Sequence, residues 1–485
     1  MKTRSNPKTI AGNLHNLESN HFNFLIKEFK MKRLVPLLFL FIHVSLTAQS
    51  EKFSINYTQF TLKNGLNVIL HEDHSTPMVS VNVWYHVGSS HEKVGRTGFA
   101  HLFEHIMFEG SGNVPEGKFD QWLEAAGANN NGSTTQDRTN YYEDMPSNAL
   151  DLALFLESDR MGYLLDAMSP GKVDGQRDVV KNERRQSYEN RPYGLAYPTM
   201  WKNLYSPDHP YSWPVIGSMA DLSAAGYEDV VDFFKKYYVP NNASLAIGGD
   251  INIEETRKLV EKWFNEIERG ETVPAIEAPA AFLQAEKRET LEDKVQLPRL
   301  HMAWHSPASF APGDAELQIL ADILASGKTS RLYKRLVYDL QIAQSVSAFQ
   351  FSAGLSSNFF IIATARSGHT LSEIETVIQD EIDRMKTENP TDEEVQRAIN
   401  KKEASFLRGL ERVGGFGGKA NQLNKYYYYT GNPDYFNEDL ARYQAVGPAD
   451  ISMFSKKYLR DNGRFILSIV PEGKKELAAT GKEIK

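Results

Sequence analysis

His101-Leu102-Phe103-Glu104-His105 places two imidazoles and a carboxylate within little more than one helical turn. On a helix, His101 and His105 are i and i+4, so their side chains leave one face roughly 6 Å apart. That spacing suits one zinc ion held by an imidazole nitrogen from each, at about 2.0–2.1 Å. Glu104 follows His101 by three residues and adjoins His105. It can face a metal without ligating it, which is what a general base acting on metal-bound water requires. The order is the mirror of His-Glu-x-x-His. The plain alternative is a partly buried helix whose polar residues happen to cluster.

A catalytic zinc of this kind takes three protein ligands and leaves a fourth position for water. The third should come from a separate element, and Asp178-Val179-Val180-Lys181-Asn182-Glu183-Arg184-Arg185-Gln186 reads as a helix with Glu183 near its end. Taken alone, Glu183 is an ordinary solvated carboxylate. Taken with His-x-x-Glu-His, it makes the chain resemble the pitrilysin/insulinase family of zinc peptidases, the inverzincins, and in particular the two-domain subfamily related to mitochondrial processing peptidase. That family joins His-x-x-Glu-His to a distant helical Glu at about this separation. The resemblance implies one Zn2+ per chain, ligated by His101, His105 and Glu183, with Glu104 as the base. Many members carry a second Glu seven residues before the third ligand. Gln176 stands there, able to hydrogen-bond but not to hold a charge.

A net charge of −8 with 24% charged residues fits a soluble globular enzyme and leaves no nucleic-acid footprint. The N-terminal stretch differs. Met31-Lys32-Arg33 precedes the apolar run Leu34–Ile42, and small residues follow at Ser45, Thr47 and Ala48. This is the plan of a signal peptide at about 31–48, with an apolar run too short for a comfortable membrane span. Translation is expected to begin at Met31, and the mature enzyme to be exported, to a periplasm, with no membrane association after cleavage. An uncleaved anchor is the alternative. Absence of cysteine means that no disulfide framework stabilises the exported chain, and that no lipidation cysteine anchors it.

Strand-like runs Phe60–Lys63 and Leu66–Leu70 flank Asn64-Gly65, a hairpin signal, and Val79–Tyr85 alternates again. Gly127–Gly132 reads as a loop, Leu150–Leu165 as a helix and Ala243–Asp250 as a late strand before a helix at Glu254–Phe264. Pro and Gly gather in a linker. The second half then repeats the plan without metal residues: strand Leu300–Trp304, helices at Ala315–Leu324 and near Arg331–Tyr338, strands Ser345–Phe351 and Phe359–Ala365, and a helix near Leu371–Lys386. Phe465–Val470 matches Leu245–Ile247 in position and character. The expected divisions are an extension and signal peptide over 1–50, a zinc-binding domain over 51–269, a linker over 270–284 and a second domain over 285–485. The resemblance implies an α+β fold of two tandem homologous domains. Each is a mostly antiparallel sheet packed with helices, and together they make half of a clam-shell chamber.

Three patterns invite over-reading. His301 and His305 share the i, i+4 spacing but lie in strand-like sequence, where four residues span about 13 Å and cannot share one ion. Val413–Ala420 is glycine-rich, yet it lacks the Gly and the Ser/Thr of a phosphate loop. Tyr426–Tyr429 in an acidic chain reads as helix packing rather than a base-stacking platform.

By resemblance, the activity is hydrolysis of short or unfolded peptides through a zinc-activated water. The peptide is added as a strand to a sheet edge at Asn131, Gly132, Ser133 and Thr134, with Gly132 where the family has Ala. Active members also place an Arg and a Tyr, seven residues apart in the second domain, across the chamber from the zinc. Aligning Ser330-Arg331-Leu332 and Ser345-Val346-Ser347 with the family puts Val337 and Gln344 at those positions, leaving Arg331 and Tyr338 as decoys. A homologous partner subunit carrying the Arg/Tyr pair is therefore expected, in a heterodimer, with a homodimer as the other option. The rival function is that of a non-catalytic or regulatory subunit in such an assembly.

Overall fold

The computed structural model describes residues 54–481, so the expected signal peptide and the choice between Met1 and Met31 lie outside the described residues. Two sheets organise the chain. The first has six strands: β1 (Thr58–Thr61), β2 (Asn67–Glu72), β3 (Met78–Tyr85), β4 (Asn129–Thr134), β5 (Thr139–Pro146) and β6 (Ala243–Gly249), in the order β1-β2-β6-β3-β5-β4. The second has five: β7 (Lys287–Asp293), β8 (Arg299–Ser306), β9 (Ala343–Phe351), β10 (Ser357–Ala365) and β11 (Arg464–Pro471), in the order β7-β11-β8-β10-β9.

Setting β1 aside, both sheets follow one plan. The last strand of each half inserts beside the first, parallel to it, and pairs antiparallel with the second. The third strand ends at the sheet edge in both halves: β4 in the first and β9 in the second. This shared order, with one parallel pair at the same place, makes the halves tandem copies of one mixed α+β design. Asn64-Gly65 forms the turn between β1 and β2, where Gly65 takes φ +96° and Asn64 Nδ2 donates to the carbonyls of Phe264 and Ile267. Residues Asn129–Gly132 belong to strand β4 rather than to a loop. Pairing along β5 overrides the weak strand preference of three asparagines and a glycine.

Each half lends a helix to the other's sheet. The Ala196–Leu204 helix buries Ala196, Met200, Trp201 and Leu204 against Phe360, Phe465 and Leu467 of the second sheet. In return, the Lys419–Thr430 helix lies on the first sheet. There Asn421 Oδ1 accepts from Trp84 Nε1 (2.8 Å) and Asn140 Nδ2 (3.0 Å), and Asn424 Nδ2 donates to the Asn82 carbonyl (2.8 Å). Tyr426–Tyr429 thus sits on a packed helix, and the glycine-rich stretch before it is a loop entering that helix. His301 and His305 lie on β8, His301 buried and His305 Nε2 bonded to the Leu204 carbonyl at 2.8 Å.

Candidate metal centre

The Phe99–Ile106 helix carries the first two imidazoles. Its apolar face, Phe99, Leu102, Phe103 and Ile106, is buried, with Phe103 stacked on Tyr238 at 4.8 Å between ring centroids. Only eight residues long, it needs outside support at its start. Glu92 gives it: one carboxylate oxygen accepts from Gly98 N (2.9 Å) and the other from Ala100 N (2.8 Å). Burial pushes that carboxyl up to about 8, against the pull of both N–H donors. Gly98 holds φ +91°, and a Cβ there would sit 2.7 Å from the Ile216 carbonyl oxygen.

Glu183 comes from the Pro170–Arg184 helix, which starts with Ser169 accepting from Lys172 N and Pro170 in the first turn. Val173 and Val180 bury one side, while Val179 remains exposed. The helix ends in a π-helical turn at Arg185–Glu189, which begins two residues after Glu183.

The two helices bring His101, His105 and Glu183 together so that one ligand atom from each lies within 4.8 Å of the others. Glu183 Oε2 is 3.7 Å from His101 Nε2 and 3.3 Å from His105 Nε2. Tetrahedral bonds of about 2.1 Å set ligand atoms roughly 3.4 Å apart, so this donor set fits zinc. Burial lowers His101 to about 4, which keeps the ring neutral as a ligand must be, and its Nδ1 is buried without a partner. A hydrogen bond from His105 lowers the Glu183 carboxyl.

Glu104 faces this cluster from the same helix. Burial raises its carboxyl, and Thr134 Oγ1 on β4 donates to Glu104 Oε2 at 2.6 Å. The edge strand and the carboxylate are therefore locked together. Gly132 allows that approach, since a Cβ there would lie 3.0 Å from Glu104 Cγ and 3.2 Å from the Tyr141 ring. The Gly132 N–H donates to Asn131 Oδ1 (2.8 Å), and Ser133 accepts from Arg138 Nη1 through both its carbonyl (2.7 Å) and its hydroxyl (2.6 Å). All four residues expected at the edge lie on β4, whose outer side pairs with no strand among the described residues. A groove of about 500 Å3 runs from His101, Glu104 and Glu183 along Gly132–Gln136, walled by Tyr197, Trp201 and, from the second sheet, Phe351. The aromatic wall escaped the sequence reading because it draws on both halves.

Gln176 does not reach the three ligands. Its Nε2 donates to Glu109, three residues past the Phe99–Ile106 helix. Behind β4, Asp137 ties the halves: its Oδ2 accepts from Tyr429 OH and Gly354 N, both at 2.8 Å, and its Oδ1 from Tyr211 OH.

A family model described as "Insulinase (Peptidase family M16)" matches residues 67–205, which hold the whole cluster, and "Peptidase M16 inactive domain" matches residues 224–402. This chain belongs to the M16 peptidase family. Among M16 relatives, the zinc protease PqqE of Helicobacter pylori is 28% identical over 394 residues, covering 80% of this chain and 87% of the relative. A probable mitochondrial-processing peptidase subunit beta of Arabidopsis thaliana is 23% identical, covering 85% and 78%. The crystal structure of a protease from Helicobacter pylori superposes with a TM-score of 0.81 at 25% identity, covering 86% of this chain and all of that one. Among the described residues, no helix is long and apolar enough to cross a membrane.

Neither of the two residues expected as decoys lines the groove. Arg331 forks onto Glu394, both bonds at 2.7 Å, and Tyr338 is exposed. Val337 is packed against the second core and Gln344 is exposed on β9. Arg331 holds the Glu394 carboxyl down at about 2. A depressed carboxyl stabilises the fold above its unfolded value, about 4.3, and loses that contribution as pH falls toward 2. Glu394→Gln should therefore lower the urea midpoint at pH 7, with the gap from wild type closing below about pH 4. An equal gap at pH 7 and pH 3 would show that the pair contributes no pH-dependent stability.

Proposed function

We propose that this chain is a zinc endopeptidase acting on short or unfolded peptides, with His101, His105 and Glu183 as ligands of one zinc and Glu104 as general base. The observation that carries this reading is the meeting of three ligand atoms with a half-buried Glu104 that is bonded to the open sheet edge. Zinc bound there supplies a Lewis acid for water and for the scissile carbonyl. β4 pairs with the peptide backbone, which gives affinity with little demand on side chains. Glu104 takes a proton from the attacking water and hands it to the leaving amine. Elemental analysis tests the ligand set: one zinc per wild-type chain is expected, and little in Glu183→Ala. Full occupancy in that variant would sink the assignment.

A signal peptide at about 31–48 supports export, with the periplasm as the destination. The domain limits proposed are 51–269 and 285–485 around a linker, in keeping with the two sheets. Among the described residues, no arginine or lysine lines the groove, and Val337 and Gln344 supply no Arg/Tyr pair. We infer that a homologous subunit provides that pair from across a shared chamber. The relative from Arabidopsis thaliana is itself named as a subunit. Loss of an oxyanion donor costs about 10²–10³ in rate, so the purified chain alone should be slower than the assembly by that factor. Robust hydrolysis by a monomer or homodimer would falsify the split site. The second reading, a regulatory subunit, is favoured only by the missing pair; it requires that no assembly lose activity on Glu183→Ala.

A further inference from the structure

The second half contains a cavity of about 370 Å3 that shares no lining residue with the groove beside Glu104. It lies among the helices Asp314–Ala325, Asp392–Leu410, Lys419–Thr430 and Phe436–Gln444. Its walls carry Lys402 and Lys425. Among the described residues, neither ammonium has a carboxylate within 4.0 Å. Lys402 Nζ donates to the neutral Gln318 Oε1 (2.6 Å), and Lys425 Nζ stands 5.8 Å from the centre of the Phe310 ring.

The acids that favour these charges, Asp314 and Asp439, are shared with a third cation, Arg442. Asp314 is committed to Ser352 Oγ (2.5 Å), Phe310 N (3.0 Å) and Arg442 Nη2 (3.0 Å). Asp439 accepts from Tyr426 OH through Oδ2 (2.8 Å); its Oδ1 lies 3.8 Å from Arg442 Nη1, too far for a hydrogen bond, and is buried without one, as is Gln350 Oε1. Burial works against both ammonium charges and outweighs the pull of Asp439 and Asp314, while Lys425 adds repulsion to Lys402 and Arg442 adds it to Lys425. Partly dehydrated cations of one sign, next to acceptors that lack donors, are costly unless something pairs with them. Lysines reaching water through the cavity mouth would account for the charges but not for the two buried acceptors.

We propose that this cavity binds a small hydroxylated organic anion. Its carboxylate or phosphate pairs with Lys402 and Lys425, and its hydroxyl donates to Asp439 Oδ1 or Gln350 Oε1. The proposal is independent of the peptidase reading.

Isothermal titration calorimetry on chelator-treated full chain tests it, with glycerol 3-phosphate and lactate as probes and glycerol as the neutral control. Saturable millimolar or tighter binding of either anion, and none of glycerol, is expected; which anion binds identifies the head group. Lys425→Met should weaken binding about tenfold or more, since a hydrogen bond to a charged group is lost, and Lys425→Arg should restore most of it. Should Lys425→Met fail to give the wild-type thermal unfolding curve, Lys402→Met carries the same expectation. Absence of binding by both anions, equal binding of glycerol, or affinity unchanged in these variants would overturn the site. Binding abolished by His101→Ala but kept in Lys425→Met would place the anion at the metal cluster and overturn it equally.

Discussion

Glu104→Gln should keep its zinc and lose hydrolysis by about 10²–10⁴ in kcat. Glutamine matches the shape of glutamate, and its amide oxygen can still accept from Thr134 Oγ1, which now holds Glu104 Oε2 at 2.6 Å. The helix, whose face of Phe99, Leu102, Phe103 and Ile106 is buried without help from this side chain, should be undisturbed. What disappears is a group able to take up a proton, because an amide is not basic. Binding of peptide along β4 does not use that proton, so KM should move far less than kcat. The comparison must be made in whichever assembly carries wild-type activity, with metal content measured on the same sample. A near wild-type rate would remove Glu104 from the base role. Loss of zinc would instead make it a ligand or a prop for the ligands.

The parts of this site that could be read from the sequence are those whose geometry is local. His101, Glu104 and His105 belong to one helical turn, so spacing alone fixes their common face. Asn64-Gly65 likewise announces its turn, and Gly65 at φ +96° shows why glycine is needed there. Glu183 is different. Nothing within its own helix distinguishes it from a solvated carboxylate, and only resemblance joins it to His101 and His105, 82 and 78 positions earlier. Asn129–Gly132 reads as a loop in sequence because three asparagines and a glycine carry no strand preference of their own; the partner strand β5 supplies it. The exchanged helices were illegible for a related reason. Asn421 and Asn424 look like surface residues, yet both are buried because Trp84, Asn140 and Asn82 on the opposite half satisfy them. The same holds for Phe351, which reaches the groove beside Glu104 from another sheet. Long-range pairing leaves no periodic trace in either partner.

Arg160→Leu should destabilise the fold by about 3–5 kcal/mol, the usual result of removing one member of a buried ion pair. Arg160, on the Leu150–Tyr163 helix, is 1% exposed. Its Nε donates to Glu157 Oε2 (2.9 Å) and its Nη2 to Glu143 Oε1 (3.2 Å), with the guanidinium 4.2 Å from the centre of the Tyr141 ring. Glu143 and Glu157 are both fully buried, and burial together with Glu157 drives the Glu143 carboxyl well above the usual carboxylate range. Arg160 is the cation that opposes this. Without it, two acids face each other with no counter-charge, beneath the same Tyr141 ring that supports Gly132 on the edge strand β4. The pH dependence follows. A carboxyl whose folded value is raised contributes stability while it stays protonated, and loses it as pH rises. The variant's deficit should therefore widen from pH 5 to pH 8 in urea unfolding. Adding Glu143→Gln and Glu157→Gln to Arg160→Leu should recover part of the loss and flatten that trend. A deficit below about 1 kcal/mol, or one independent of pH, would mean that water enters and solvates the two acids once the guanidinium is gone.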